Sequence, residues 1–213
     1  MCLATIQDQQ NLWHRRLGHV HMDLLKKISS KSLVKGLPKL KYEKLQPCSA
    51  CQLGKQVRTS FAVKNKVSTS VPLQLLHLDL FGPERYVSLG GKFYAFVIVD
   101  DFSRYTWILF LRTKDEAFDE FKSLITNLEN KYDVRLKSIR SDHGGEFEKD
   151  FITFCKSKGV SHEFSSPRTP QQNGVVERKN RTLQETARTL LHESGLPRKF
   201  WAEAVNTSCY VLN

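Results

Sequence analysis

The 213-residue chain is 40% hydrophobic and 26% charged, which is enough apolar material for one medium core with a small companion and excludes a disordered chain. Its formal charge of +11 is uneven, because residues 1–66 hold 13 Lys and Arg against 3 Asp and Glu, whereas residues 67–213 hold 20 against 19; a basic segment beside a near-neutral domain suits a polyanionic partner such as nucleic acid. Five cysteines with one close pair argue against a disulfide framework, and with no apolar run of about 18 residues and no apolar leader the expectation is a soluble, unsecreted, intracellular protein with no membrane partner.

In chain order, residues 1–11 are polar and are expected to form a flexible N-terminal segment. Residues 12–61 form a Lys-rich unit carrying His14, His19, Cys48 and Cys51. Residues 62–72, rich in Lys, Asn, Ser and Thr and ending near Pro72, predict a linker. From residue 73 the texture changes: β-branched and aromatic runs at 75–80, 94–99, 105–111 and 134–141 predict strands. Between them, Ala117, Phe118, Phe121, Leu124, Ile125 and Leu128 recur at three- and four-residue intervals, which predicts an amphipathic helix over 115–132. A shorter helix is expected at 149–158, ended by Gly159, followed by a strand at 160–164. Pro167 and Pro170 make 165–173 a loop, and two helices, 174–194 and 197 onward, close the chain. This order predicts a mixed α/β domain over 73–213 with five strands flanked by helices.

The N-terminal unit offers a metal site. Cys48-Ser-Ala-Cys51 is a C-x2-C knuckle, preceded by His14-x4-His19. Zinc takes four N or S ligands tetrahedrally, and a closed set of four is structural. A unit of about fifty residues has difficulty folding on core burial alone, which strengthens the case for a bound ion. His21 competes with His19, but seven helical residues rise about 10.5 Å from His14, too far for one ion to bridge; Leu17-Gly18 can turn the chain and favours His19.

Three acids in the larger domain, Asp79, Asp142 and Glu177, occupy the late part of the first strand, the end of the fourth, and the first turns of the helix after the Pro-flanked loop. Strand ends and an overlying helix can converge in an open α/β sheet. Converged acids repel one another unless cations neutralise them, and an all-oxygen set suits Mg²⁺ or Mn²⁺. Asp100-Asp101 is read as a hairpin turn with Ser103, and Glu146 as a helix-start charge. Gln172 and Asn173, with Arg178, Lys179 and Arg181, are candidate nucleic-acid contacts; Arg181 is also an i+4 ion-pair partner for Glu177.

At these residues the chain resembles the integrase segment of a copia-type LTR retrotransposon polyprotein, in particular the plant kind. Leu12-Trp-His-Arg-Arg-Leu-Gly-His19 with the Cys48 knuckle is similar to the zinc-binding pre-integrase (HHCC) domain. Leu78-Asp-Leu-Phe-Gly-Pro83, Val99-Asp-Asp-Phe-Ser-Arg104, Arg140-Ser-Asp-His-Gly-Gly-Glu-Phe147 and the long run from Ser166 through Gln-Gln-Asn-Gly-Val-Val-Glu177 to Leu183 resemble the integrase catalytic core. The resemblance implies an RNase H-like core preceded by a small helical zinc domain. It implies catalytic and metal-binding roles for Asp79, Asp142 and Glu177, with two Mg²⁺ or Mn²⁺ ions beside a structural Zn²⁺ and no small-molecule cofactor.

The implied reaction is strand transfer, in which a 3′-hydroxyl of element cDNA attacks a target phosphodiester, within a homo-oligomer on double-stranded DNA in the nucleus or a cytoplasmic virus-like particle. With 34 residues between Asp142 and Glu177, the spacing is one shorter than the family's usual one. The resemblance also leads one to expect that the core continues past Asn213, so that the catalytic domain here is C-terminally truncated. Residues for a DDE polynucleotidyl transferase are thus present. A catalytically silent zinc and nucleic-acid-binding remnant, and a metal-dependent nuclease, are the alternatives.

Overall fold

The computed structural model describes residues 6–40, 48–54, 69–165 and 173–213. The small unit consists of α1 (Ile6–Arg16), α2 (Met22–Ser30) and α3 (Ser49–Gly54). The second half of the segment expected to be loose, from Ile6 onward, enters α1, and Gln10 is buried. The chain reverses after α1 through two left-handed residues, Gly18 and His19 (φ 64° and 59°), so His14 and His19 do not share one continuous helix. Most of the expected 62–72 linker lies outside the described residues.

The larger unit contains β1 (Leu75–Phe81), β2 (Tyr94–Asp100), β3 (Thr106–Leu111), α4 (Ala117–Tyr132), β4 (Ser138–Ser141), α5 (Lys149–Lys158), β5 (Ser161–Phe164), α6 (Gly174–Ser194) and α7 (Trp201–Leu212). One mixed sheet runs in the order β3-β2-β1-β4-β5. β2 is antiparallel to β1 and β3; β1–β4 and β4–β5 are parallel. Five strands, as expected, place β1 at the centre.

Side-chain alternation along the strands sorts two cores. Phe96 and Ile98 of β2 join Leu76 and Leu78 of β1 against Phe121, Ile125, Phe151 and Phe154 of α4 and α5. Ala95, Val97 and Val99 face the other way, onto Val176, Leu183 and Ala187 of α6 and Trp201 and Val205 of α7. Burial on both faces explains why residues 95–99 read as one uninterrupted apolar run. By the same alternation Asp79 lies on the α6 side of β1, with Phe81.

The expected strand over 134–141 is shorter than its apolar pattern. Asp133 ends α4 in the left-handed region (φ 51°), and the Leu136 N–H donates to the Glu129 carboxylate at 3.0 Å, so a side chain takes the bond a ladder would have used. α5 ends at Gly159 (φ 67°), as the glycine predicts. No helix among the described residues is long and apolar enough to cross a membrane.

Candidate metal centre and carboxylate site

Sharp reversal at Gly18-His19 and the first turn of α3 bring His14, His19, Cys48 and Cys51 together, with one ligand atom from each lying within 4.8 Å of all the others. His14 Nε2 lies 3.1 Å from His19 Nδ1 and 3.4 Å from Cys51 Sγ; His19 Nδ1 lies 3.6 Å from both sulfurs. Zn–N bonds of about 2.0–2.1 Å and Zn–S bonds of about 2.3 Å at tetrahedral angles give edges of about 3.3 Å for N···N and about 3.6 Å for N···S. The residues fit a zinc ion.

The outward ring nitrogens support the same fit. His14 Nδ1 lies 2.8 Å from the Val20 carbonyl, and His19 Nε2 bonds the Glu193 carboxylate of α6. Each acceptor requires the outward nitrogen to carry the proton, which leaves Nε2 of His14 and Nδ1 of His19 as lone-pair donors toward the centre. His21 is exposed and instead caps α2, accepting from the Asp23 N–H at 3.3 Å.

Sheet register brings two of the carboxylates to the same end of the sheet. β1 and β4 pair in parallel with His77 opposite Arg140, and two further steps bring Asp79 level with Asp142 just past the end of β4. α6 crosses the same face, and its Asn180 amide donates to Asp79 Oδ2 while the Leu80 N–H donates to Oδ1 at 3.0 Å. Glu177 stands one turn earlier on α6.

Burial, followed by the charge of Asp142, pushes the Asp79 carboxyl up to about 6; the two hydrogen bonds oppose this and Glu177 adds to it. Glu177 is raised as well, first by partial desolvation, with Arg181 and Arg178 opposing and Asp142 adding. The three acids thus share one electrostatic field. Among the described residues, however, only the His/Cys set gathers tightly enough to stand out as a ready-made metal cluster. All-oxygen donors that destabilise one another's charge suit hard divalent cations.

The remaining predicted contacts divide. Arg178 and Arg181 are exposed beside Glu177. Lys179 and Arg178 together line an open groove of about 270 Å³ with Val99, Arg104, Val175 and Thr182, and burial lowers the Lys179 pKa. Asn173 is buried at the start of α6, not displayed on a surface loop, and its Oδ1 has no hydrogen-bond partner among the described residues. Gln172 lies outside the described residues.

Glu146 accepts from Lys114 Nζ at 3.1 Å from a short 3-10 turn, Gly145–Phe147, rather than at the start of α5. A side chain at Gly144 would meet its carboxylate at 2.8 Å and Asp142 Oδ1 at 3.1 Å, so glycine there makes room for two acids. Asp100 and Asp101 are buried and do more than turn a hairpin. Asp100 accepts from Ser103 and from the Leu73 N–H, and Asp101 accepts from Thr69 and His77. The pair thereby ties the entry to β1 onto the end of β2. Asn180, His77 and Glu193 carry no local sequence signal, because their partners are distant in the chain.

Comparison with known proteins agrees with both halves. Residues 1–56 match the GAG-pre-integrase domain, and residues 70–170 match the integrase core domain. The chain is 40% identical over 214 aligned residues to the retrovirus-related Pol polyprotein from transposon TNT 1-94 of Nicotiana tabacum, covering 99% of this chain and 16% of that one. It is 33% identical to the corresponding polyprotein from transposon RE2 of Arabidopsis thaliana, covering 94% and 14%. It therefore spans about a sixth of the length of these relatives. Among solved structures, a chain of the simian T-cell lymphotropic virus intasome in complex with PP2A regulatory subunit B56 gamma superposes with a TM-score of 0.54 at 20% identity, covering 78% of this chain and 57% of that one.

Proposed function

The chain belongs to the family of retrovirus-related Pol polyproteins from plant copia-type transposons, as their GAG-pre-integrase and integrase core segment, and from that premise we propose that it carries out DNA integration by divalent-metal-dependent strand transfer of cDNA 3′ ends into target DNA. The observation that carries this reading is the placement of Asp79, Asp142 and Glu177 within electrostatic reach of one another at one end of the sheet, where burial first and the charge of Asp142 second push the Asp79 carboxyl up to about 6. We take residues 12–61 as the zinc unit, 62–72 as the connector and 73–213 as the core, with double-stranded DNA as substrate, a homo-oligomer as the working form and an intracellular site of action.

In this reading Asp79, Asp142 and Glu177 hold two Mg²⁺ or Mn²⁺ ions, which when bound supply Lewis acidity to the attacking and leaving oxygens. The acids act as ligands and form no covalent intermediate. Asn180 fixes the rotamer of Asp79 through its amide, so that one oxygen keeps its direction while the other is held by the Leu80 N–H. Exposed Arg178 and Arg181 flank Glu177 and attract a phosphodiester to the same turn of α6. His14, His19, Cys48 and Cys51 hold a structural zinc whose contribution is to fold and dock the N-terminal unit.

The test uses the purified chain with Mg²⁺ or Mn²⁺ and a labelled duplex carrying a recessed 3′ end. Products joined to target DNA support strand transfer. Nicking without joining assigns the same acids to a nuclease, and no reaction from a folded, zinc-loaded chain assigns it to a silent binding module. Joining that survives Asp142→Asn overturns the carboxylate assignment.

A further inference from the structure

The outer partner of a zinc ligand in the N-terminal unit comes from the catalytic domain. His19 is fully buried, and its outward Nε2 bonds Glu193, 174 residues away in the last turn of α6. The other oxygen of Glu193 accepts from Arg15 Nε at 2.8 Å. One carboxylate thus grips both flanks of the Gly18 reversal that presents His19 to the metal centre.

The packing around it is close. A Cβ at Gly54, in the helix that carries Cys51, would lie 2.3 Å from Thr189 Oγ1 and 2.8 Å from the Thr189 backbone. A Cβ at Gly18 would lie 3.2 Å from Val211 of α7 and 3.4 Å from Thr186 of α6. Both glycines allow the metal-bearing turns to lie against the α6–α7 face at backbone distance. This is the same α6 that carries Glu177 and Asn180 near its other end.

We infer that Glu193 is a positioning residue for the zinc centre, and that zinc binding and docking of the N-terminal unit onto α6 are one coupled equilibrium. The inference rests on the zinc reading above. A carboxylate accepting from a ligand histidine fixes its tautomer and raises its basicity, and loss of such a partner typically weakens metal affinity by about 10- to 100-fold. Coupling of this kind is reciprocal, so the ion that Glu193 helps to hold also holds α6 to the N-terminal unit.

The experiment compares zinc affinity, by competition with a metallochromic chelator, in the full 213-residue chain and in Glu193→Ala, Glu193→Gln and Arg15→Ala. Hydrogen exchange of α6 is followed with zinc bound and removed. Expected are a loss of affinity of about 10-fold or more for Glu193→Ala, a smaller loss for Glu193→Gln, which retains an acceptor for His19, and less than a twofold change for Arg15→Ala. Zinc removal from the wild-type chain is expected to speed exchange in the last turns of α6, and Glu193→Ala to lose that response. The inference is overturned by a Glu193→Ala chain that binds zinc within twofold of wild type, by an equal loss in Arg15→Ala, or by α6 exchange that ignores zinc. A wild-type chain that takes up no zinc brings down the metal reading itself, a separate failure visible before any variant is made.

Discussion

The chain contains two sites built from charged and metal-ligating side chains, and they are assembled differently. At the N-terminal centre, four ligand atoms already lie within 4.8 Å of one another, and both histidines have their outward nitrogens bonded. At the end of β1, three acids share a field but remain partly open: Asp142 and Glu177 are exposed, and part of the loop leading into α6 lies outside the described residues. A closed ligand set resembles a structural centre, in which geometry is satisfied before any substrate arrives. An open set of mutually repelling acids leaves coordination positions for a substrate oxygen.

If that contrast is right, the two sites fail in different ways. Cys51→Ser should have the largest effect. Structural zinc contributes on the order of 10 kcal/mol to small domains, so metal analysis should fall from about one zinc per chain to nearly none, with rapid proteolysis across residues 12–61 while the sheet stays protected. A protease-resistant N-terminal unit without zinc would dissolve the distinction. Glu177→Gln should do the opposite. Joining of DNA ends should fall by about 10³-fold, as expected for loss of several kcal/mol of metal-dependent stabilisation, with zinc content unchanged and the melting temperature within a few degrees of wild type. Concerted loss of zinc in that variant would show that the sites are not separable.

The same contrast governs what could be read from the chain itself. Local pattern found the five strands and the main helices of the core, because apolar periodicity, Gly159 and the prolines act over a few residues. It overextended β4, since nothing at residues 134–137 announces that the Glu129 side chain will take the Leu136 N–H. It also missed the start of α1, whose residues 7–11 are all polar. The clustered His14, His19, Cys48 and Cys51 were legible as spacing. The acids were legible as candidates, and the placement of Asp79 beside Asp142 required the parallel register of β1 and β4. Asn180, the His77–Asp101 pair and Glu193 were invisible because each is defined by a partner 24 to 174 residues away.

A smaller effect tests the contact between the two regions. Gly54→Ala places a methyl group within 2.8 Å of the Thr189 backbone, and overpacking of this kind costs about 1–3 kcal/mol. The expected outcome is faster exchange on the α6 face opposite the sheet, a lower unfolding midpoint for the N-terminal unit and a weakened zinc affinity, with zinc still bound at saturating concentration. An unchanged exchange pattern would mean that the N-terminal unit does not bear on α6 in solution.

The smallest effect concerns charge at the open site. The Asp79 carboxyl is raised to about 6 by burial and by Asp142, whereas an unfolded aspartate titrates near 3.9. Between these values the folded chain binds more protons than the unfolded one, so stability falls as pH rises from about 4 to about 6 and stays lowered above that. Asp79→Asn removes the titration. In Mg²⁺-free buffer, with no chelator so that zinc is retained, urea unfolding should find the variant about 1–3 kcal/mol more stable than wild type at pH 7.5 and nearly equal to it at pH 4. Added Mg²⁺ should stabilise the wild type and not the variant, narrowing the gap, because the ion neutralises the repulsion that the substitution removes. A gap that ignores both pH and Mg²⁺ would mean that Asp79 is an ordinary half-buried carboxylate, and the open site would lose the electrostatic feature that distinguishes it from the closed one.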